Sequence, residues 1–234
     1  MDHSFSLLLT SAIGISMIHT LTGPDHYLPF IALSKSGKWS LKKTIFWTLM
    51  CGFAHVLSSI LIGLIGIGIG YTLIQFDLIE STRGNWAAWL LLIFGIGYTL
   101  WGLYSLKRNK LHKHFEVNDD ADILIYEHKD DGNAVLPDEK FKVTPWVMLF
   151  IFALGPSEPL IPLLFYPTAE QSFHQVSILI IVYLAVTLLS MLFMVLLGYF
   201  SIQRFQFGWL EKYMGLLSGL IILTCGIGMV FLNW

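Results

Sequence analysis

Charge is what this sequence has least of. Only 13% of its 234 residues are Asp, Glu, Lys or Arg, where a globular protein carries about 25%. A soluble domain of this length cannot cover its surface with so few charges. Cysteine is almost absent too. Both Cys51 and Cys225 fall inside apolar runs, which excludes a disulfide framework. The balance of 14 basic against 16 acidic residues excludes a polybasic nucleic-acid binder. No Gly-x-x-x-x-Gly-Lys-Ser/Thr phosphate loop encodes an ATP-driven engine, and no His-Glu-x-x-His motif encodes a metalloprotease. The start, Met1-Asp2-His3-Ser4, has no positive charge and no small-residue cleavage site, so no cleaved signal is expected. What is plentiful is apolar: 55% of the chain, with 20 glycines and many aromatics, as membrane helices and their interfacial belts require.

Hydrophobic runs long enough to cross a bilayer predict six membrane spans: Phe5–Thr22, Thr44–Leu73, Trp86–Leu106, Trp146–Tyr166, Val176–Ile202 and Leu210–Leu232. The second is long for a core of about 30 Å and should tilt or kink. With the N-terminus outside, the first, third and fifth connections hold Lys35, Lys38, Lys42 and Lys43, then seven residues from Lys107 to Lys142, then Arg204 and Lys212. Only Arg83 then falls on the outer side, so the positive-inside rule places both termini outside the plasma (inner) membrane. The third connection, about Lys107 to Thr144, is the one long polar segment. It reads as a solvated linker, with Ile123-Leu124-Ile125-Tyr126 as a short strand or membrane-docking patch; its His112, His114 and His128 also suit a metal-collecting loop.

The two halves repeat each other. Gly23-Pro24-Asp25-His26-Tyr27-Leu28 matches Gly155-Pro156-Ser157-Glu158-Pro159-Leu160 in glycine, proline and leucine at an offset of 132 residues. Ala54 matches Ala185, and Gly95-Ile96-Gly97 matches Gly226-Ile227-Gly228, both at an offset of 131. Three spans per half is an odd number, so the second half must enter from the opposite side. The expected fold is all-α and integral to the membrane: six helices as two inverted three-helix repeats, the first helix of each broken at its Gly-Pro. Residues 1–106 form the first repeat, 107–144 the cytoplasmic polar loop and 145–234 the second repeat. Gly66-x-x-x-Gly70 and Gly215-x-x-x-Gly219 read as small-residue faces for close helix packing.

Ionisable groups at these breaks carry the function. A carboxylate at a helix centre costs on the order of 3 kcal/mol on insertion scales, so such groups are usually paired, hydrated or functional. Asp25 and His26 follow the first break, and Ser157 and Glu158 hold the same positions in the second half. His19 precedes the first break. His55 sits on a polar stripe of Thr48, Cys51, His55, Ser58 and Ser59 at helical spacing. Imidazoles with carboxylates suit a divalent transition metal, the carboxylates neutralising its charge and the imidazoles favouring it over Mg or Ca. The candidate metal ligands are therefore His19, Asp25, His26, His55, Ser157 and Glu158. Each has a structural alternative: a helix cap for Asp25, an interhelical hydrogen bond for His55, polar glue for Ser157. Cys51 and Cys225 read as packing.

The segment His19-Thr20-Leu21-Thr22-Gly23-Pro24-Asp25-His26 resembles the first-helix signature of the nickel/cobalt permeases, and looks closest to the urease-accessory (UreH-type) branch. Gly52-Phe53-Ala54-His55 is similar to the Gly-x-x-His of that family's next helix. Gly155 to Pro162 looks like the second-half motif of related proteins in the lysine-exporter superfamily. The resemblance implies a permease for a divalent metal, nickel or cobalt first, with the ion as transported substrate and no permanently bound cofactor. Five residues separate His19 from Asp25, one more than in the nickel permease pattern. In an unbroken helix the extra residue would swing His19 by about 100° away from Asp25 and His26.

The expected partners are the lipid bilayer and the metal ion, with no nucleic acid; a homo-oligomer is compatible with these features. An enzyme is not expected. An anion (sulfite- or sulfonate-like) exporter on the same scaffold is the alternative, opposed by two intramembrane acids without a buried Lys or Arg. A relative of transmembrane thiol-redox carriers would need paired cysteines at the breaks.

Overall fold

The computed structural model describes residues 3–108, 112–117, 123–128, 144–155, 160, 162–163, 173–204 and 212–232. Among these residues seven helices dominate: α1 (His3–Thr22), α2 (Leu28–Ser36), α3 (Leu41–Gly68), α4 (Leu73–Arg108), α5 (Thr144–Leu154), α6 (Phe173–Arg204) and α7 (Met214–Phe231). A single 3-10 turn, Pro24–His26, joins α1 to α2. In the polar connection β1 (His112–Val117) pairs antiparallel with β2 (Ile123–His128), His112 opposite His128, so of the two readings of Ile123–Tyr126, short strand or docking patch, the strand is the one seen.

Among the described residues five helices, α1, α3, α4, α6 and α7, are long and apolar enough to cross a membrane, the make-up of a multi-pass membrane protein. Of the expected fourth span, Trp146–Tyr166, the described residues hold the 11-residue α5, which stops at Leu154, and helical residues at 160 and 162–163. At 1.5 Å per residue α5 is about 16 Å long, half a bilayer. Residues 156–159, which carry the rest of the second Gly-Pro break, lie outside the described residues.

Local chemistry explains the other boundaries. α1 ends because Pro24 has no N–H to continue the ladder. Gly23 N–H closes the helix on His19 O, His26 N–H bonds Gly23 O, and the chain re-enters a helix at Leu28. The structure thus splits the predicted first break into a turn and a second short helix, α2, which the sequence reading ran into the connection. α3 opens on Ser40, whose hydroxyl accepts from Lys43 N–H at 3.3 Å. It closes in a Schellman arrangement: Tyr71 N–H to Gly66 O, Gly70 N–H to Ile67 O, with Gly70 at φ +79°. Gly70 is therefore a helix terminator, not half of the expected packing face. α4 starts at Leu73, thirteen residues before the predicted Trp86, and takes Asp77, Glu80 and Arg83 into the helix.

Packing is densest between α4 and α7. A methyl group placed on Gly95 would lie 2.6 Å from Leu223 Cα, and one on Gly226 would lie 2.6 Å from Leu92 Cα. Numbers rise on one helix as they fall on the other, so the pair is antiparallel, and only glycine permits this backbone approach. α1 packs on α6, α5 packs on α3, and α3 also packs on α6. One core gathers Phe30, Leu33, Met148, Met191, Ile222 and both cysteines; a second gathers Val56, Ile60, Leu160, Leu179 and Tyr183. Cys51 and Cys225 are fully enclosed by apolar neighbours, as packing residues are.

Candidate metal centre

Three elements of the first half converge on one point. α1 delivers His19 from its last turn, the 3-10 turn delivers His26, and the middle of α3 delivers His55. One ligand atom from each imidazole lies within 4.8 Å of the other two. The rings meet edge to face, with centroids 4.9 Å apart for His19–His26 and 5.2 Å for His26–His55. His26 and His55 are both only 5% exposed. The extra residue before Asp25 does not expel His19. The helix ends at Thr22, and the turn around Pro24 takes up the rotation that a continuous helix would impose. Thr48, Cys51, His55 and Ser59 are buried along one face of α3, with Ser58 half-buried beside them, as the polar stripe predicts.

Each ring has an orienting contact or an open nitrogen. His55 Nδ1 lies 3.3 Å from Phe152 O. A carbonyl can only accept, so Nδ1 carries the proton and Nε2 is left as a lone-pair donor. Asp25 Oδ2 lies 3.2 Å from His26 Nδ1. The Nε2 atoms of His19, His26 and His55, with Asp25 Oδ1, are buried and have no hydrogen-bond partner. Four unsatisfied polar atoms in one apolar region are unusual, because each lost hydrogen bond costs about 1–3 kcal/mol. A cation held by the three imidazoles, whose ligand atoms lie close together, would satisfy lone pairs of all three rings, with Asp25 adding negative charge beside His26.

The glycines of the two Gly-Pro motifs have a shared task. A methyl on Gly23 would sit 2.6 Å from His26 Nδ1, and one on Gly155 would sit 3.0 Å from His55 Nδ1. Each glycine is the surface on which an imidazole rests. The rings line an open cavity of about 830 Å³, to which Asp25 also belongs and which Ser81, Thr82 and Asn85 of α4 line on another side. Of the six expected ligands, the structure brings together His19, Asp25, His26 and His55; Ser157 and Glu158 lie outside the described residues.

One buried pair was not expected. Arg83, assigned by the sequence to an outer connection, sits within α4 and pairs with Glu80, which is 2% exposed. Ser59 and Arg83 both donate to Glu80, and Arg83 also reaches Ser58 at 2.8 Å, Ala153 O at 3.1 Å and Gly155 O at 3.2 Å. Its i,i+3 spacing to Glu80 was the available signal.

Comparison of the chain with protein-family models, with curated proteins and with solved structures found no match in any of the three.

Proposed function

We propose that this chain is a membrane permease for a divalent transition-metal cation, with the ion passing through a midplane site built on His19, His26, His55 and Asp25. The observation that carries the reading is the convergence of three imidazoles whose Nε2 atoms are buried and unpartnered. Soft nitrogen donors with one carboxylate select a later transition metal over Mg or Ca. Nickel and cobalt stand first by the resemblance of the His19–His26 segment to the nickel/cobalt permeases. Ser157 and Glu158 complete the ligand set from the second half.

The architecture belongs to the same proposal: six spans in two inverted repeats, in the plasma (inner) membrane, with both termini outside. Two pairs of contacts support the inverted repeat. The offset of 131 residues carries the Gly95–Leu223 approach onto Gly226–Leu92. It likewise exchanges the packing of α1 on α6 with that of α5 on α3. A pseudo-two-fold axis in the membrane plane has this signature.

Arg83 bears on the competing anion exporter, since a buried guanidinium is what that function needs. Its terminal nitrogens are already engaged by Glu80, two serines and two carbonyls, so none is presented to an anion. The deciding experiment measures cellular accumulation of Ni, Co, Zn, Fe and Mn with and without the protein. Accumulation of one or two metals should change, and His26→Ala and Glu158→Ala should each abolish the change. Full transport by both variants would sink the site; sulfite or sulfonate efflux without any metal effect would favour the exporter.

A further inference from the structure

The C-terminal end of α5 is held in an uncommon way. A helix leaves its last four carbonyls without intrahelical partners. Here Phe152 O accepts from His55 Nδ1, while Ala153 O and Gly155 O accept from the Arg83 guanidinium at 3.1 and 3.2 Å. His55 and Arg83 thus hold neighbouring carbonyls of one helix end. They are joined a second time through Ser58, whose hydroxyl donates to His55 O at 2.8 Å and accepts from Arg83 at 2.8 Å. Glu80 fixes the guanidinium from the far side, itself held by Ser59. Three helices, α3, α4 and α5, therefore meet at one planar cation whose fork of donors suits several fixed acceptors.

We propose that Arg83 is a positioning residue for the metal site, acting through His55. By fixing the end of α5 against α3, it keeps Phe152 O in place as the acceptor for His55 Nδ1–H. That bond selects the tautomer in which Nε2 of His55 faces the cavity with a free lone pair. Such outer partners of a ligating histidine typically change metal affinity about 10–100-fold when removed. Arg83 acts one bond further out, so the lower end of that range applies. The inference rests on the metal-site reading, but its first consequence, the tautomer of His55, does not need a metal.

The test uses the full chain, purified in lipid nanodiscs and labelled with 15N-histidine. Glu80→Gln/Arg83→Gln removes the pair together, so that no buried charge is left uncompensated; Arg83→Lys keeps the charge and loses the fork. Nitrogen–proton correlation spectra report the tautomer, with the His55 signal assigned by its loss in His55→Asn. Wild-type protein should show His55 protonated at Nδ1. The double variant should show a substantial Nε2–H population and bind Co(II) about tenfold more weakly, with Arg83→Lys between the two. An unchanged His55 tautomer in both variants overturns the proposal, whatever happens to Co(II) affinity. If the double variant fails to fold, Arg83→Lys decides by the same spectrum. If wild-type protein binds no Co(II), the metal-site reading fails, while the metal-free spectra still decide the role of Arg83.

Discussion

Gly23→Ala and Gly155→Ala perturb the candidate site without removing any ligand, and the structure ranks their effects. Neither glycine has a positive φ; Gly23 sits at φ −88° and ψ 93°. Alanine is therefore free of backbone strain at both positions, and the damage must come through the imidazole beneath the new methyl. At Gly23 the methyl would lie 2.6 Å from His26 Nδ1, 0.8 Å short of the 3.4 Å at which ordinary contact begins. It would also press on Asp25 Oδ1 at 3.1 Å, so ring and carboxylate move together. At Gly155 the methyl would lie 3.0 Å from His55 Nδ1, a shortfall of 0.4 Å. Metal–ligand distances tolerate about 0.2 Å. Gly23→Ala should therefore act like loss of one ligand. Structural sites of four ligands bind zinc with about 10–16 kcal/mol, so one ligand is worth roughly 3 kcal/mol, or about 100-fold in affinity. Gly155→Ala should lose only about threefold to tenfold, because a few tenths of an ångström can be absorbed by the His55 ring. Co(II) titration of the purified protein, followed by its visible ligand-field bands, measures both, with thermal unfolding as the control for global damage. Equal affinities for wild type and Gly23→Ala, at a site that His26→Ala destroys, would refute the steric reasoning.

Replacing His55 by Ala should weaken Co(II) binding by about 100-fold on the same scale and also remove one of the two hydrogen bonds to Phe152 O, the other coming from Gly155 N–H, lowering thermal stability slightly, whereas His19→Ala should weaken binding with less effect on stability. Protons and metal compete for the ring nitrogens, so acidification should release bound Co(II), read as loss of its ligand-field bands; bands that persist at every pH down to unfolding would remove histidine from the ligand set. Gly226→Val should lower stability by about 1–3 kcal/mol or more through the clash with the Leu92 backbone, read as a lowered melting temperature in micelles. Gly97→Ala, from the same repeated Gly-Ile-Gly motif, should be neutral because a methyl there meets nothing within 4 Å.

Much of the described architecture is legible from apolar runs and the Gly23-Pro24 break, because bilayer thickness and the missing proline donor act through local sequence. Asp25, His26 and His55 are visible for the same reason: a polar group in an apolar run stands out. The place of His19 is not, since it depends on the path the chain takes around Pro24 after the helix ladder stops at Thr22. α4 begins earlier than the apolar run because Asp77, Glu80 and Arg83 interrupt the hydropathy that marks a span. What the sequence could not show was the partners of Glu80 and Arg83, Ser58 and Ser59 of α3, more than twenty residues away. Gly70 was misread by the opposite error: a spacing that fits a packing face also fits a helix end, and the φ of +79° that decides between them is tertiary information.

The proposed repeat and the candidate site are not equally symmetric. The offsets that relate the halves carry Gly23 onto Gly155, but they carry His26 onto Glu158 and His55 onto Val186. All three imidazoles therefore come from the first half, and the described part of the second half supplies a carbonyl and a glycine surface. Charge balance gives the second half a further task. A divalent ion beside Asp25 retains one uncompensated positive charge, which is costly in a low-dielectric cavity. Glu158, which the sequence offset of 132 matches to His26, is the acid proposed to cancel it. Glu158→Gln keeps the shape and hydrogen-bonding capacity while removing the charge. It should reduce metal accumulation at least tenfold, comparably to Asp25→Asn, if both carboxylates share one ion. Unchanged accumulation by Glu158→Gln beside a silent Asp25→Asn would mean that the imidazoles bind an ion of lower charge, such as Cu(I), and would move the substrate class accordingly.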